Sequence, residues 1–260
     1  MNHMKPPRQR RQIEREFGVP IAGEILDPAR WTQTALKRLP ETGPLDWQQL
    51  FGRSAPIVLD LGCGNGRYLI GSAVWRPDHD HVGVDILPAV LRYATRRGNQ
   101  RGLGNLRFAA IDAQRFLQNY VAPHSVREIH IYHPQPFHDP REASRRLIEP
   151  GFLARAHGVL EPSGSLWLQT DNAAYWKYML EMVPSFFEFS EQPGPWPDAP
   201  KGRTRREILA LRRGLPVFRG WGKVRPLSEE QMARLVADLP RPSFDAGPRH
   251  RELDADEMLQ

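Results

Sequence analysis

Along the chain, short continuous apolar runs alternate with longer stretches of helical spacing. The runs IVLDL (57–61), HVGVD (81–85), LRFAA (106–110), EIHIY (128–132) and SLWLQT (165–170) predict β-strands. Several are continuously apolar rather than alternating, which marks strands buried on both faces, as in a parallel sheet. Residues 67–75, 88–98, 112–119 and 141–158 predict the intervening helices. This βα alternation predicts an α/β fold built on a doubly wound parallel sheet. Upstream, Pro20, Pro28, Pro40 and Pro44 break residues 19–55 into short segments, with one or two helical turns expected over Trp31–Arg38. Downstream, Asp171 is placed to N-cap a helix over NAAYWKYMLEMV (172–183). Ser228 with Gln231 reads as a capping box opening a last helix, EEQMARLVADL (229–239). The expected organisation is a basic extension with short helical segments over 1–50, one α/β domain over 51–240 and a polar tail over 241–260. Residues 1–18 lack a hydrophobic period and are expected to be mobile; the last twenty are expected to fray.

Ligands of doubly wound sheets bind beyond the carboxyl ends of the strands, and the polar chemistry of this chain gathers there. The first strand runs into VLDLGCGNG (58–66), where Asp60, Gly62, Gly64 and Gly66 alternate. Glycines after a strand allow a sharp turn and let a ligand press against bare N–H groups. Asp85 closes the second strand, where a ribose diol would lie. Asp112 follows the third strand, His133–Phe137 the fourth and Asp171 the fifth. For Asp112 and Asp171 a plain helix N-cap is the competing reading. A dinucleotide fingerprint would need a third glycine where Arg67 stands, which makes a nicotinamide cofactor the weakest option. The G-x-G-x-G spacing, with an acid two residues ahead, instead resembles the S-adenosylmethionine loop of class I methyltransferases.

Charge narrows the partner. The chain carries 36 Lys and Arg against 30 Asp and Glu, a formal net charge of +6. Three stretches stand out: residues 5–11, residues 86–111 and residues 201–225, the last with nine basic residues against Glu207 alone. Arginine-rich runs of this kind favour a polyanion, nucleic acid above all. The single cysteine, Cys63, excludes an intrachain disulfide and fits a reducing cytoplasm. Inside the glycine loop it reads as a small residue rather than a redox group. No Cys/His cluster has metal-ligand spacing, so no metal is expected. No apolar run approaches the roughly 18 residues that span a bilayer, so no membrane partner is expected.

Three further segments are more specific. They are YHPQPFHDPREASRRLIEPGFL (132–153), QTDN (169–172) and TRRE (204–207). Together they resemble the bacterial tRNA (guanine-N7)-methyltransferase family, over roughly residues 55–225. That family has an aromatic-Pro-Asp-Pro-Trp turn after its fourth strand, an R-R-L-I helix, a Thr-Asp after its fifth strand and a later Thr-x-x-Glu. The resemblance implies a Rossmann-like class I fold with a mostly parallel, seven-stranded sheet, S-adenosylmethionine as cofactor and tRNA as partner. It implies methylation of a guanine at N7, in the variable loop. Asp60, Gly62, Gly64, Asp85, Asp112 and Gln135 would then hold the cofactor. Asp171, Thr204 and Glu207 would face the guanine, Arg145 and Arg146 would grip the RNA, and Gln135, Asp171 and Glu207 would form the catalytic set. For Glu207 the competing reading is a lone acid solvating a basic helix. The family's catalytic aspartate is replaced here by Gln135, its aromatic by His133 and its tryptophan by Phe137. His133 reads as an orienting residue rather than a base. A non-catalytic tRNA-binding paralogue and a methyltransferase of another RNA stand as alternatives.

Overall fold

The computed structural model describes residues 13–258. A hairpin of β1 (Arg15–Glu16) and β2 (Val19–Pro20) precedes β3 (Ala35–Leu36) and a short α1 (Trp47–Phe51). The βα units follow: β4 (Ile57–Leu61), α2 (Arg67–Trp75), β5 (Asp80–Asp85), α3 (Pro88–Gln100), β6 (Leu106–Ala110), α4 (Ala113–Tyr120) and β7 (Val126–Tyr132). Then come α5 (Pro150–Val159), β8 (Leu160–Thr170), α6 (Ala173–Met182), β9 (Phe187–Glu191), α7 (Arg205–Arg212), β10 (Phe218–Val224), α8 (Glu229–Asp238) and α9 (Arg251–Met258). Among the described residues, no helix is long and apolar enough to cross a membrane.

The main sheet has the order β3-β6-β5-β4-β7-β8-β10-β9. All pairs from β3 to β8 are parallel, and β10 runs antiparallel between β8 and β9. The order reverses at β4, which places its carboxyl end at the switch point where such sheets take ligands. Alternate side chains of the strands feed two cores. Leu59, Leu61 and Ile129 pack with Phe116 of α4, Phe152 of α5 and Met179 of α6. On the other face Val58, Leu106 and Phe108 pack with Leu69 and Ile70 of α2 and Leu91 of α3.

Four local expectations are corrected. The sheet has eight strands rather than seven, because residues 35–36 are not helical but pair with the outer edge of β6, with Phe108 N–H donated to the Thr34 carbonyl at 2.7 Å. The helix expected over 141–158 is split: a 3-10 turn covers Pro140–Arg145, and α5 starts afresh at Pro150 with Glu149 as its N-cap. The cap of α6 is Asn172, which accepts from Tyr175 N–H at 2.8 Å, not Asp171. The last residues are not frayed throughout, since α9 packs on α7 and buries Leu253 beside Leu209 and Ala210.

The amino-terminal hairpin is tied down by charge. Glu16, almost fully buried, accepts from Asn65 at 2.7 Å and Arg205 at 3.0 Å, with Arg67 and Arg97 at 3.4 Å. Glu14 takes Arg97 at 2.9 Å and Arg101 at 3.1 Å. Two of the five arginines over 86–111 are therefore internal: Arg97 and Arg101 are buried in these pairs, while Arg92 and Arg96 are exposed and Arg107 is half-buried. Residues 13–18 are accordingly ordered against the core; the basic run over 5–11 lies outside the described residues.

Candidate active site

The glycine loop leaves β4 with Gly62, Gly64 and Gly66 at φ of 84°, 52° and 74°, a region that side chains disfavour. A Cβ on Gly62 or Gly64 would meet nothing within 4 Å, so these two glycines border open space. One on Gly66 would lie 2.8 Å from Phe108, so that glycine serves packing. Asp85 reaches back across the loop: Oδ2 accepts from Gly64 N–H and Oδ1 from Leu87 N–H, both at 2.9 Å. Ile86 and Leu87, next in sequence, leave their apolar side chains 65% and 48% exposed. An acid beside an uncovered apolar ledge suits a ribose and its adenine. Asp112 is exposed at the next strand end and caps α4 through Arg115 N–H at 2.9 Å, so its N-cap reading holds and one oxygen remains outward. Burial and the charge of Asp85 push the Asp60 carboxyl up to about 8. Burial likewise pushes the Cys63 thiol well up, as an inert packing residue requires.

Beyond β7 and β8 the chain builds a directed relay. Trp196 Nε1 donates to Gln169 Oε1 at 2.7 Å, which fixes the amide so that Gln169 Nε2 points at His133 Nε2, 2.8 Å away. An amide nitrogen only donates, so His133 Nε2 accepts and its proton sits on Nδ1. Nδ1 then donates to Asp171 Oδ1 at 3.0 Å. The other oxygen of Asp171 accepts from Arg206 Nε at 3.0 Å and Nη2 at 2.8 Å. Burial raises the Asp171 carboxyl, but His133 and Arg206 outweigh it and hold the group well below the usual carboxylate range. His133 thus orients Asp171, and its backbone φ of 54° shows how tightly the turn is drawn. Gln135 stands exposed on the same turn.

Thr204 caps α7 by accepting from Glu207 N–H at 3.1 Å. Glu207 itself is fully buried. Its Oε1 accepts from Arg219 Nε at 2.9 Å and Nη2 at 2.5 Å, and its Oε2 accepts from Arg203 N–H at 2.7 Å. It is not a lone acid solvating a basic helix. Arg203 lies among four rings, 4.3 Å from Trp196 and 5.3–5.9 Å from Tyr68, Trp167 and Tyr132, and donates to Tyr132 Oη at 2.6 Å. Four of the nine basic residues over 201–225, Arg203, Arg205, Arg206 and Arg219, are therefore drawn into internal pairs, while Lys201, Arg212, Arg213, Lys223 and Arg225 are exposed.

The structure brings His133, Asp171 and α7 together through Arg206, and the glycine loop to Asp85. It separates the two arginines expected to grip RNA. Arg145 is exposed, pairs with Glu142 and lies 4.6 Å over Phe137. Arg146 is only 1% exposed and donates to four carbonyls, those of Pro136, Phe137, Pro242 and Phe244, at 2.6–3.1 Å. With four of its five N–H groups spent on carbonyls and the side chain buried, Arg146 has no fork to offer a phosphate and is a staple that fixes the 133–137 turn. Gln169 and Trp196 were not legible as site residues. The available signal was one amide at the end of an otherwise apolar strand.

Residues 54–219 match a family model described as "Putative methyltransferase". A tRNA (guanine-N(7)-)-methyltransferase of Halorhodospira halophila is 34% identical over 229 residues, covering 86% of this chain and 98% of that protein. One from Alkalilimnicola ehrlichii is 31% identical over 191 residues, covering 72% and 81%. Among solved structures, the 16S rRNA methyltransferase KamB superposes with a TM-score of 0.55 at 17% identity, covering 75% of this chain and 99% of that one. At that identity the likeness is one of fold.

Proposed function

We propose a reaction from the premise that this chain belongs to the tRNA (guanine-N7)-methyltransferase family: it transfers a methyl group from S-adenosylmethionine to N7 of a guanine in tRNA. The observation that carries the reading is the pairing of that family match with an open glycine cradle braced by Asp85 at the sheet's switch point. The variable loop as the methylated site, and the cytoplasm as the place of reaction, belong to the same proposal.

The residues present fit the cofactor. Gly62 and Gly64 would take its amino-acid end against bare backbone, Asp85 the ribose hydroxyls beside Ile86 and Leu87, and Asp112 the adenine amino group. When bound, S-adenosylmethionine supplies an electrophilic methyl group on a sulfonium. Guanine N7 is a lone-pair acceptor with no proton to lose, so no side chain need act as a base. The protein's task is to hold the base in line, which is catalysis by positioning. The far edge of guanine offers N1–H and N2–H donors that an ionised carboxylate matches with charge-assisted bonds. Asp171, kept ionised and aimed by His133 and Arg206, is assigned that edge. Thr204 shapes the adjoining turn, and Glu207 holds the turn from beneath through Arg203 and Arg219. Gln135 provides a neutral acceptor where the resemblance expects an acid, which costs on the order of 1 kcal/mol in a reaction that abstracts no proton.

The exposed Gln135 also favours a second reading, a tRNA-binding paralogue without turnover. Incubation with labelled S-adenosylmethionine and unmodified tRNA, then nuclease digestion and mass spectrometry, separates them. Appearance of 7-methylguanosine in the variable-loop fragment supports the enzyme. Binding of cofactor and tRNA without label transfer supports the binder.

A further inference from the structure

The contact between α9 and α7 is mainly ionic. Arg213 Nη2 donates to Asp256 Oδ2 at 2.5 Å, Arg206 Nη1 to Asp254 Oδ1 at 2.6 Å, and Arg205 Nη2 to the Asp256 carbonyl at 2.7 Å. Glu252, 91% exposed, lies 3.8 Å from Arg213. The apolar part of the contact centres on Leu253. Asp254 and Asp256 thus each take a guanidinium nitrogen of the neighbouring helix, with Glu252 at the margin beside Arg213.

Resting on the tRNA reading above, we infer that Arg206 and Arg213 form a docking surface for the phosphate backbone of the RNA substrate. In the free protein α9 sits there as an acidic stand-in. Three observations carry this. Carboxylates and phosphates match the same planar guanidinium fork, so each acid occupies a place that a phosphate fits. A short helix with a small apolar anchor is the kind of element that opens locally without unfolding the domain. And Arg206 joins the surface to the candidate site, since it holds Asp254 with Nη1 while Nε and Nη2 hold Asp171. RNA that replaces Asp254 on Arg206 therefore touches the residue that aims Asp171. Exposed Arg212, next to Arg213 at the end of α7, extends the positive face.

The test uses the full chain with Glu252→Gln, Asp254→Asn and Asp256→Asn combined, beside a separate Arg213→Ala variant. Dissociation constants for unmodified tRNA are measured by fluorescence anisotropy between 50 and 200 mM KCl, with thermal melting to confirm the fold. The triple variant is expected to bind roughly three- to tenfold tighter, as each carboxylate competitor is removed. Arg213→Ala is expected to weaken binding and reduce the salt slope by about one. A folded triple variant that binds no tighter, with Arg213→Ala unchanged in affinity and slope, overturns the inference. A gain for poly-glutamate but not for tRNA also overturns it, and assigns the face to an acidic protein. Absence of tRNA binding by the unmodified protein even at 50 mM KCl overturns the tRNA reading itself, and this inference with it.

Discussion

Replacing Glu207 with alanine separates two roles that its sequence position leaves mixed. The carboxylate is fully buried, accepts two bonds from Arg219 and one from Arg203 N–H, and Arg219 is itself only 4% exposed. Its removal strands a buried guanidinium, which costs about 3–5 kcal/mol. For a chain of this size that corresponds to a fall in melting temperature of roughly 6–20 °C. Loss of activity in this variant alone would therefore say nothing about chemistry. The decisive partner is Glu207→Met combined with Arg219→Met, which removes both charges and keeps most of the volume. It is expected to recover all but the roughly 1 kcal/mol due to the Arg203 N–H. Calorimetry and urea melts give the stabilities, and the methyl-transfer assay is run on both variants. Activity in the restored double variant identifies Glu207 as a positioning residue; inactivity at restored stability would require its charge in the reaction. A single variant that loses less than about 1 kcal/mol, or a double variant no more stable than the single, would refute the reasoning.

The Asp60 carboxyl, raised to about 8, lies above the unfolded value of about 3.9, so its contribution to stability is full below pH 4 and is lost as pH rises to about 8. Asp60→Asn should gain on the native protein across pH 5–8, by at most about 5 kcal/mol, and parallel melting profiles would count against this. Gly66→Ala forces a Cβ to 2.8 Å from Phe108 at φ 74° and should cost about 2–4 kcal/mol, whereas Gly64→Ala has room for its methyl group and should cost about 1–2. Equal urea midpoints for the two would show that the packing argument fails. Gln135→Asp should keep or raise methyl transfer, and a tenfold fall in rate would exclude an acid's place on that turn.

The elements that were legible are those whose pattern is local. IVLDL over 57–61 and the helix over 67–75 lie at the expected bounds, because a buried parallel strand and the glycine loop after it announce themselves in consecutive residues. Residues 35–36 carry no such pattern; they become a strand only because β6 offers an open edge. At 171–172 two residues could cap α6, and the choice falls on Asn172 because Asp171 is drawn away by His133 and Arg206. Arginine counts marked the chain as basic but not which arginines face water. Arg146 and Arg219 are spent on carbonyls and on Glu207, partners that only the folded chain brings near. His133 was legible as an orienting residue, whereas Gln169 behind it was not.

Glu16 has a consequence for the timing of synthesis. Arg205, its partner at 3.0 Å, lies 189 residues further along. At about 5–20 residues per second the ribosome reaches that arginine roughly 10–40 s after making the acid. Until then the amino-terminal hairpin lacks one of the arginines that neutralise it, and Arg67 and Arg97 hold it at 3.4 Å. The hairpin is thus completed only once α7 has been made, and a nascent chain stalled before α7 would hold Glu16 by Asn65, Arg67 and Arg97 alone.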